Sequence, residues 1–481
     1  MASREVWDDL GAAKTSALAR LKDRATTRRA HAGPRGGVPP PNSAAASHAK
    51  NDAYMTNFAE GMRALGLDDA GVAPEEPPEI KRPTQRKTWT IPAHDDKPAP
   101  RAQRSGAAAA PGRFDAARWL KGPLDAAGTE VDLSDRPIMC GSTAGDRVVL
   151  GCSDHALYEV DAITGRRTRA LYTKRYGHAE WVTCVSHCPD GRVVSGGMDS
   201  KLCVWDARGV KCTDLLGHAG SVSDVKVPPS GAVAVSSSYD KTVRVWPLSV
   251  RGMRDGTGAV LKAHRAPVLT LDVRDDVAAS GSRDGELVAY DLAASAPLDR
   301  ASAHGGHVTA VAFRQHSGAS DDAAELFTGG QDGFVRAWDL RAGLASPVGQ
   351  AGAHRASDGG SGAVGLFAQA PTRNLLVSGG ADGAANVFDT RQLSSPVATL
   401  RSHADFLYSI TVVADRVLAT GDGRGEVHFA DLAAAADDAP PAYALGAGRN
   451  AVRYMGATAS SDALVCAGDD GNALVYRYAI G

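Results

Sequence analysis

Nowhere in the 481 residues does an apolar run approach the roughly 18–20 residues that a bilayer-spanning helix needs. The opening MASREVWDDL carries charge from its fourth residue and lacks the apolar core of a secretory leader. Together these absences point away from membrane anchoring and secretion. Cysteine is scarce: seven residues, an odd number without framework spacing. That usage fits free thiols in a reducing compartment, so the expected location is the cytoplasm, with the nucleus as an alternative. A net charge of −2 leaves no positive excess to draw nucleic acid or an anionic membrane surface.

Catalytic and cofactor signatures are equally thin. The run 360–365 (GSGAVG) matches GxGxxG, but it leads into a strand rather than a helix, so it cannot present a helix N-terminus to a pyrophosphate. Residues 11–16 (GAAKTS) end like a phosphate loop without its glycine spacing. Cys184, His187 and Cys188 are close in sequence, yet on a strand and its following turn they would not face one point. The expectation is no enzyme, no cofactor and no metal.

What is present divides the chain in two. Residues 1–125 are rich in proline and alanine, and the first 115 hold 12 of the 25 prolines with 18 Lys/Arg against 14 Asp/Glu. Such a segment buries too little apolar surface to offset the entropy of ordering it, and reads as a mostly disordered tail. Three islands within it have partner-binding character. Residues 4–24 and 52–65 place apolar side chains at helical spacing, and 81–91 (KRPTQRKTWTI) is a basic cluster beside Trp89.

Residues 126–481 have another texture, short apolar runs punctuated by Gly, Asp, Ser and Pro. A small-residue turn followed by an aromatic–Asp pair recurs eight times, at 151–161, 195–206, 236–247, 280–291, 328–339, 378–389, 420–431 and 466–477. The final residues of successive copies are 41 to 50 apart, the scale of one supersecondary unit. The best-preserved copy is SGGMDSKLCVWD at 195–206. Upstream of the hairpins a histidine repeats at 178, 218, 264, 304, 354 and 403, each after Gly, Ala or Ser, and this one position takes six of the 14 histidines.

A small residue plus His opening each unit, and Trp-Asp or a variant closing it, resembles the WD40 family over about residues 128–481. The resemblance implies an all-β propeller of eight four-stranded blades, alternatively seven, behind the N-terminal tail. It also implies a hydrogen-bonded chain within each blade. The sets are His178, Ser195, Asp199 and Trp205; His218, Ser236, Asp240 and Trp246; and His304, Thr328, Asp332 and Trp338. Looser sets are His264, Ser280, Asp284 and Tyr290, and His354, Ser378, Asp382 and Phe388. The seventh copy has Arg424 where Asp is expected, and the eighth, with Cys466, has no matching His. The chain ends on the third strand of its last copy, so residues 129–133 (TEVDL), which alternate polar and apolar, are expected to complete that blade and hide its edge.

The same resemblance puts the Asp turns and the His loops on one face of the ring. Partner contact is therefore expected at Trp181, Met198, Tyr239, Arg265, Arg283, His307, Gln331 and Phe406, a set rich in hot-spot residue types. Arg208 and Arg341 follow W-D-x-R patterns, and Arg391 follows F-D-x-R. In the WD40 family this pattern is similar to a box used to dock on the adaptor of cullin-4 ubiquitin ligases. Three functions follow as expectations: a protein-binding scaffold, a ubiquitin-ligase substrate receptor, and a cytoskeletal or ciliary adaptor.

Overall fold

The computed structural model describes residues 114–173, 175–248, 258–315, 326–355, 362–448, 450–458 and 462–479. The tail islands at 4–24, 52–65 and 81–91 lie outside them, as do the first two residues of the 360–365 glycine run.

Eight antiparallel four-stranded sheets follow one another, and in seven of them the strand order is the chain order. Counting from the first, the blades occupy residues 138–171, 182–216, 222–261, 268–302, 308–352, 364–400, 407–446 and 452–477. The innermost strand of each packs on that of the next, and blade 8 packs on blade 1, so the ring is closed. Blade 8 takes its fourth strand from the other end of the sheet domain. Thr129–Asp132 pairs antiparallel with Asn472–Arg477, Thr129 opposite Val475 and Asp132 opposite Asn472. The strand expected to seal the ring does so, and Val131 goes into the core.

The core is eight seams rather than one centre. Each apolar cluster joins two adjacent blades, for example Val149, Leu157 and Leu171 of blade 1 with Val182, Val193 and Trp205 of blade 2. A sheet sandwiched this way is covered on both faces, so its second strands lose the period-2 alternation of a half-exposed strand. Val193–Gly197 (VVSGG) and Leu326–Gly330 (LFTGG) are buried throughout, with small residues where the neighbouring blade comes closest. An added Cβ at Gly196 would fall 2.6 Å from a Val222 methyl of blade 3. The outermost strand of blade 1 is solvated instead: in Arg166–Leu171 (RRTRAL) only Leu171 is buried.

Every innermost strand breaks register at the same place, between its first and third residues, as at Val182/Cys184 and Val222/Asp224. A bulge of this kind twists the strand locally and re-aims side chains. Just upstream of the sheets, Ala116–Trp119 forms one helical turn capped by Asp115, whose carboxylate accepts from the Ala117 amide at 3.0 Å. Trp119 is completely buried against blades 7 and 8. Packed structure thus begins ahead of residue 126, where the sequence placed the start of the propeller.

Candidate functional site

Within blade 2, His178 Nδ1 lies 3.0 Å from Asp199 Oδ1 and its Nε2 lies 2.8 Å from Ser195 Oγ. Trp205 Nε1 donates to the same Oγ at 2.9 Å. The carboxylate can only accept, so Nδ1 carries the hydrogen between them, and Nε2 is left to accept from the hydroxyl that itself accepts from the indole. Blade 3 repeats the geometry with His218, Asp240, Ser236 and Trp246, all at 2.8 Å. Blade 5 does so with His304, Asp332, Thr328 and Trp338, all at 2.9 Å. In blade 6 His354 reaches Asp382 and Ser378, but Phe388 has no donor to complete the chain.

The carboxylates respond to these partners. Burial pushes Asp199 up, but the His178 bond, the adjacent imidazole and the Ala179 amide together bring it below the usual carboxylate range. Asp240, Asp332 and Asp382 are held low by the same balance. His304 is shifted down by burial against the opposing pull of Asp332.

Ser, His and Asp in this order of contact have the connectivity of a hydrolase triad. The resemblance ends at access. Ser195, Ser236 and Thr328 are fully buried, and an indole caps each hydroxyl where a carbonyl carbon would have to approach. These groups hold the blade together and have no route to a substrate.

Two weaker copies are wired differently from the sequence expectation. In blade 4 His264 bonds Ser280 at 2.6 Å, but Asp284 is taken by the Ser282 hydroxyl. The carboxylate facing His264 Nδ1 is that of Glu286, at 3.5 Å. In blade 7 the residue aligned with the turn Asp is Arg424, and Asp422, two positions earlier, supplies the carboxylate at 3.1 Å from His403. In blade 1, Ser134 stands at the His position and donates to Asp154 at 2.6 Å, as does Tyr158.

The expected contact residues share one rim of the ring. The amide before each turn Asp donates to the carbonyl three residues after each His position: Met198 to Trp181, Tyr239 to Ser221, Arg283 to Pro267 and Gln331 to His307, all within 2.9–3.0 Å. Ser221 Oγ also reaches the Met198 carbonyl at 3.4 Å, linking blades 2 and 3. Arg283 is close enough to act on both Tyr239 and His307, and burial, reinforced by the Arg283 charge, brings His307 down to about 4. Trp181, Met198, Tyr239, Arg283, His307 and Gln331 therefore form one continuous stretch over blades 2–5. Tyr239 is 42% exposed and Arg265 is exposed, while the others are half-buried. Phe406 is half-buried on the blade 7 loop, outside that stretch.

The three motif arginines are exposed and behave unequally. Arg391 folds back as a two-pronged fork on Asp389 at 2.9 and 2.6 Å, and Arg341 Nε bonds Asp339 at 3.1 Å. Arg208 makes no such fork to Asp206. Cys184, His187 and Cys188 do not converge: His187 Nδ1 turns to Ser142 of blade 1 at 2.8 Å, while both cysteines enter the seam with blade 3. Sequence reasoning missed Trp119, whose Nε1 donates to Asp462 at 3.0 Å and whose ring stacks on Tyr478 at 3.8 Å. An Asp-capped helical turn carrying a Trp directly before the sheets was the available signal. Among the described residues no helix is long and apolar enough to cross a membrane.

Comparison with known proteins agrees with this architecture. The family described as "WD domain, G-beta repeat" matches residues 169–206, 209–247 and 296–339. The first two matches run from the outermost strand of one blade, or just before it, to the third strand of the next, so a sequence repeat straddles two blades. A guanine nucleotide-binding protein subunit beta from Oryza sativa subsp. indica is 28% identical over 41% of this chain and 53% of its own length. Ribosome biogenesis protein YTM1 of Meyerozyma guilliermondii is 24% identical over 63% of this chain and 72% of its own. The chain thus spans about half the length of the first of these relatives. A crystal structure of the computationally designed Ika8 protein matches with a TM-score of 0.58 at 22% identity, covering 73% of this chain and 100% of the designed one. That match concerns the fold alone.

Proposed function

We propose that this chain, a member of the WD40-repeat family of β-propellers, is a non-catalytic scaffold that binds other proteins on the rim formed by its His loops and Asp turns. The carrying observation is the continuity of Trp181, Met198, Tyr239, Arg283, His307 and Gln331 across blades 2–5, each seated on a backbone hydrogen bond that fixes its position. Aromatic, Met and Arg side chains held rigidly lose little entropy on binding, which suits an interface core. WD40 propellers are typically non-catalytic, and the buried Ser and His groups fit that role. A cytoplasmic or nuclear site of action goes with the proposal.

The test is capture of associated proteins by the full chain and by a Tyr239→Ala/Arg283→Ala double variant with unchanged thermal stability. Loss of a specific partner set from the variant supports the rim. An identical set in both would remove it.

Docking on a ubiquitin-ligase adaptor through the W-D-x-R arginines has less support, since Arg341 and Arg391 spend their donors on their own Asp. Of the three, only Arg208 stands away from its motif carboxylate. A cytoskeletal role would rest on the basic cluster at 81–91, outside the described residues.

A further inference from the structure

On blade 2, Lys201–Trp205 pairs with Cys212–Leu216, the outermost strand, so that Cys203 lies opposite Asp214 and Trp205 opposite Cys212. Residues 212 and 214 alternate onto the same side of their strand, which brings both thiols to one carboxylate. Cys203 Sγ and Cys212 Sγ each lie 3.5 Å from Asp214 Oδ1, and the three atoms are mutually within 4.8 Å. We propose that Cys203, Cys212 and Asp214 form a binding site for a thiophilic divalent cation of the zinc class.

Three features of the cluster support the site. The first is distance. An ion about 2.3 Å from sulfur and about 2.0 Å from oxygen, with tetrahedral angles, sets sulfur and oxygen about 3.5 Å apart. Both sulfurs already stand at that separation from Asp214 Oδ1, so the sulfur–oxygen edges of the site need no strand movement. The second is charge. Two thiolates and a carboxylate beside the Lys201 ammonium, 2.7 Å from Asp214 Oδ2, sum to two negative charges, which a divalent cation neutralises. Lys201 also donates to the Gly177 carbonyl at 2.8 Å, so it holds the outer carboxylate oxygen and leaves Oδ1 turned to the sulfurs. This is the kind of outer contact that orients a metal ligand.

The third is access. Cys203 is fully buried, whereas Cys212 is half-buried on the outermost strand, giving the ion a path and a solvent molecule the fourth position. Each thiol gives up its proton on binding the ion. Uptake therefore weakens as pH falls. The other group with suitable donors, His403, Glu426 and His428, is less available. Both ring nitrogens of His403 are engaged, by Asp422 and by Thr420.

The test is titration of the reduced, metal-free full chain with Zn²⁺ and, for its sulfur-to-metal absorption, with Co²⁺. One equivalent should bind with a thiolate charge-transfer band. Cys212→Ser and Asp214→Asn, at partly exposed positions, should each weaken binding about tenfold or more, while Glu426→Gln leaves it unchanged. Failure of the parent to take up one equivalent would overturn the site. So would unchanged uptake by Cys212→Ser, or peptide mapping that finds Cys203 and Cys212 joined as a disulfide under the same reducing conditions.

Discussion

Blades 2 and 8 place an aspartate at the same turn position, and the two carboxylates behave oppositely. Asp199 of blade 2 meets His178 and sits below the usual carboxylate range. Asp470 of blade 8 has Gly448 where the histidine would stand, and burial pushes it up. A buried carboxylate is an asset only when a donor is paired with it. Blade 8 and its neighbours are secured by other means: the borrowed strand Thr129–Asp132, the stack of Trp119 on Tyr478, and the stack of Phe429 on Tyr443 at 4.4 Å. One part of the ring is wired with polar chains. The closing part is sealed with aromatic rings.

Breaking the seal should cost most. Replacing residues 129–132 by a Gly/Ser linker leaves the Asn472–Arg477 strand as an unpaired, apolar edge. The expected outcome is loss of the folded monomer, read by gel filtration and thermal melting, and a monomer with an unchanged melting point would refute the closure argument. Trp119→Ala should follow, at about 3–5 kcal/mol, the range for emptying a buried Trp site. It also removes the indole donor from Asp462. Denaturant unfolding measures it, and a loss below about 1 kcal/mol would mean that the helical turn is not part of the packed core.

The aspartates give the next contrast. Asp199→Asn should destabilise by about 1–3 kcal/mol at neutral pH, because His178 loses its charged acceptor. Asp470→Asn should be neutral or mildly stabilising, within about 0.5 kcal/mol. The signs with pH follow. A carboxylate with a lowered folded pKa contributes stability above its unfolded value of about 4 and loses it as pH falls further. Asp470, raised, has the reverse slope: the folded form binds the proton more readily, so acid relieves its cost. Hydrogen exchange across pH 5 to 3 should show blades 2, 3 and 5 losing protection faster than blade 8. Equal loss in all blades would void the distinction.

The smallest effects belong to the indole contacts. Trp205→Phe removes the donor to Ser195 and should cost about 1 kcal/mol. Phe388→Trp in blade 6 supplies a missing donor to Ser378, and a gain of at most about 1 kcal/mol is expected if the seam accommodates the larger ring.

Much of this was legible in the sequence because it is written locally and repeatedly. The His, Ser or Thr, Asp and aromatic positions recur at fixed offsets within a hairpin, so their convergence in blades 2, 3 and 5 follows from strand register. The borrowed strand was legible too, through its alternation and the missing fourth strand of the last copy. Where the local rule bends, alignment misleads. Asp422 replaces the turn aspartate from two residues earlier, since a carboxylate at the strand end can also reach His403. Asp284 is lost to the Ser282 hydroxyl, whereas the serine at the same position in blade 3, Ser238, donates to the Gly220 carbonyl and leaves Asp240 to His218.

The sequence by itself determined the repeat and, for blades 2, 3 and 5, the groups that bond within a blade, because hairpin geometry depends on nearest neighbours; it left the ring at eight blades or seven. Only the tertiary structure decided what passes between blades or across the ring. That includes Trp119 meeting Asp462 over more than 340 residues, and the continuity of the rim from Trp181 to Gln331. It also includes the turning of two cysteines onto one carboxylate, which depends on the register of an outer strand. These contacts depend on how neighbouring sheets stack on one another, which no periodicity in the chain encodes.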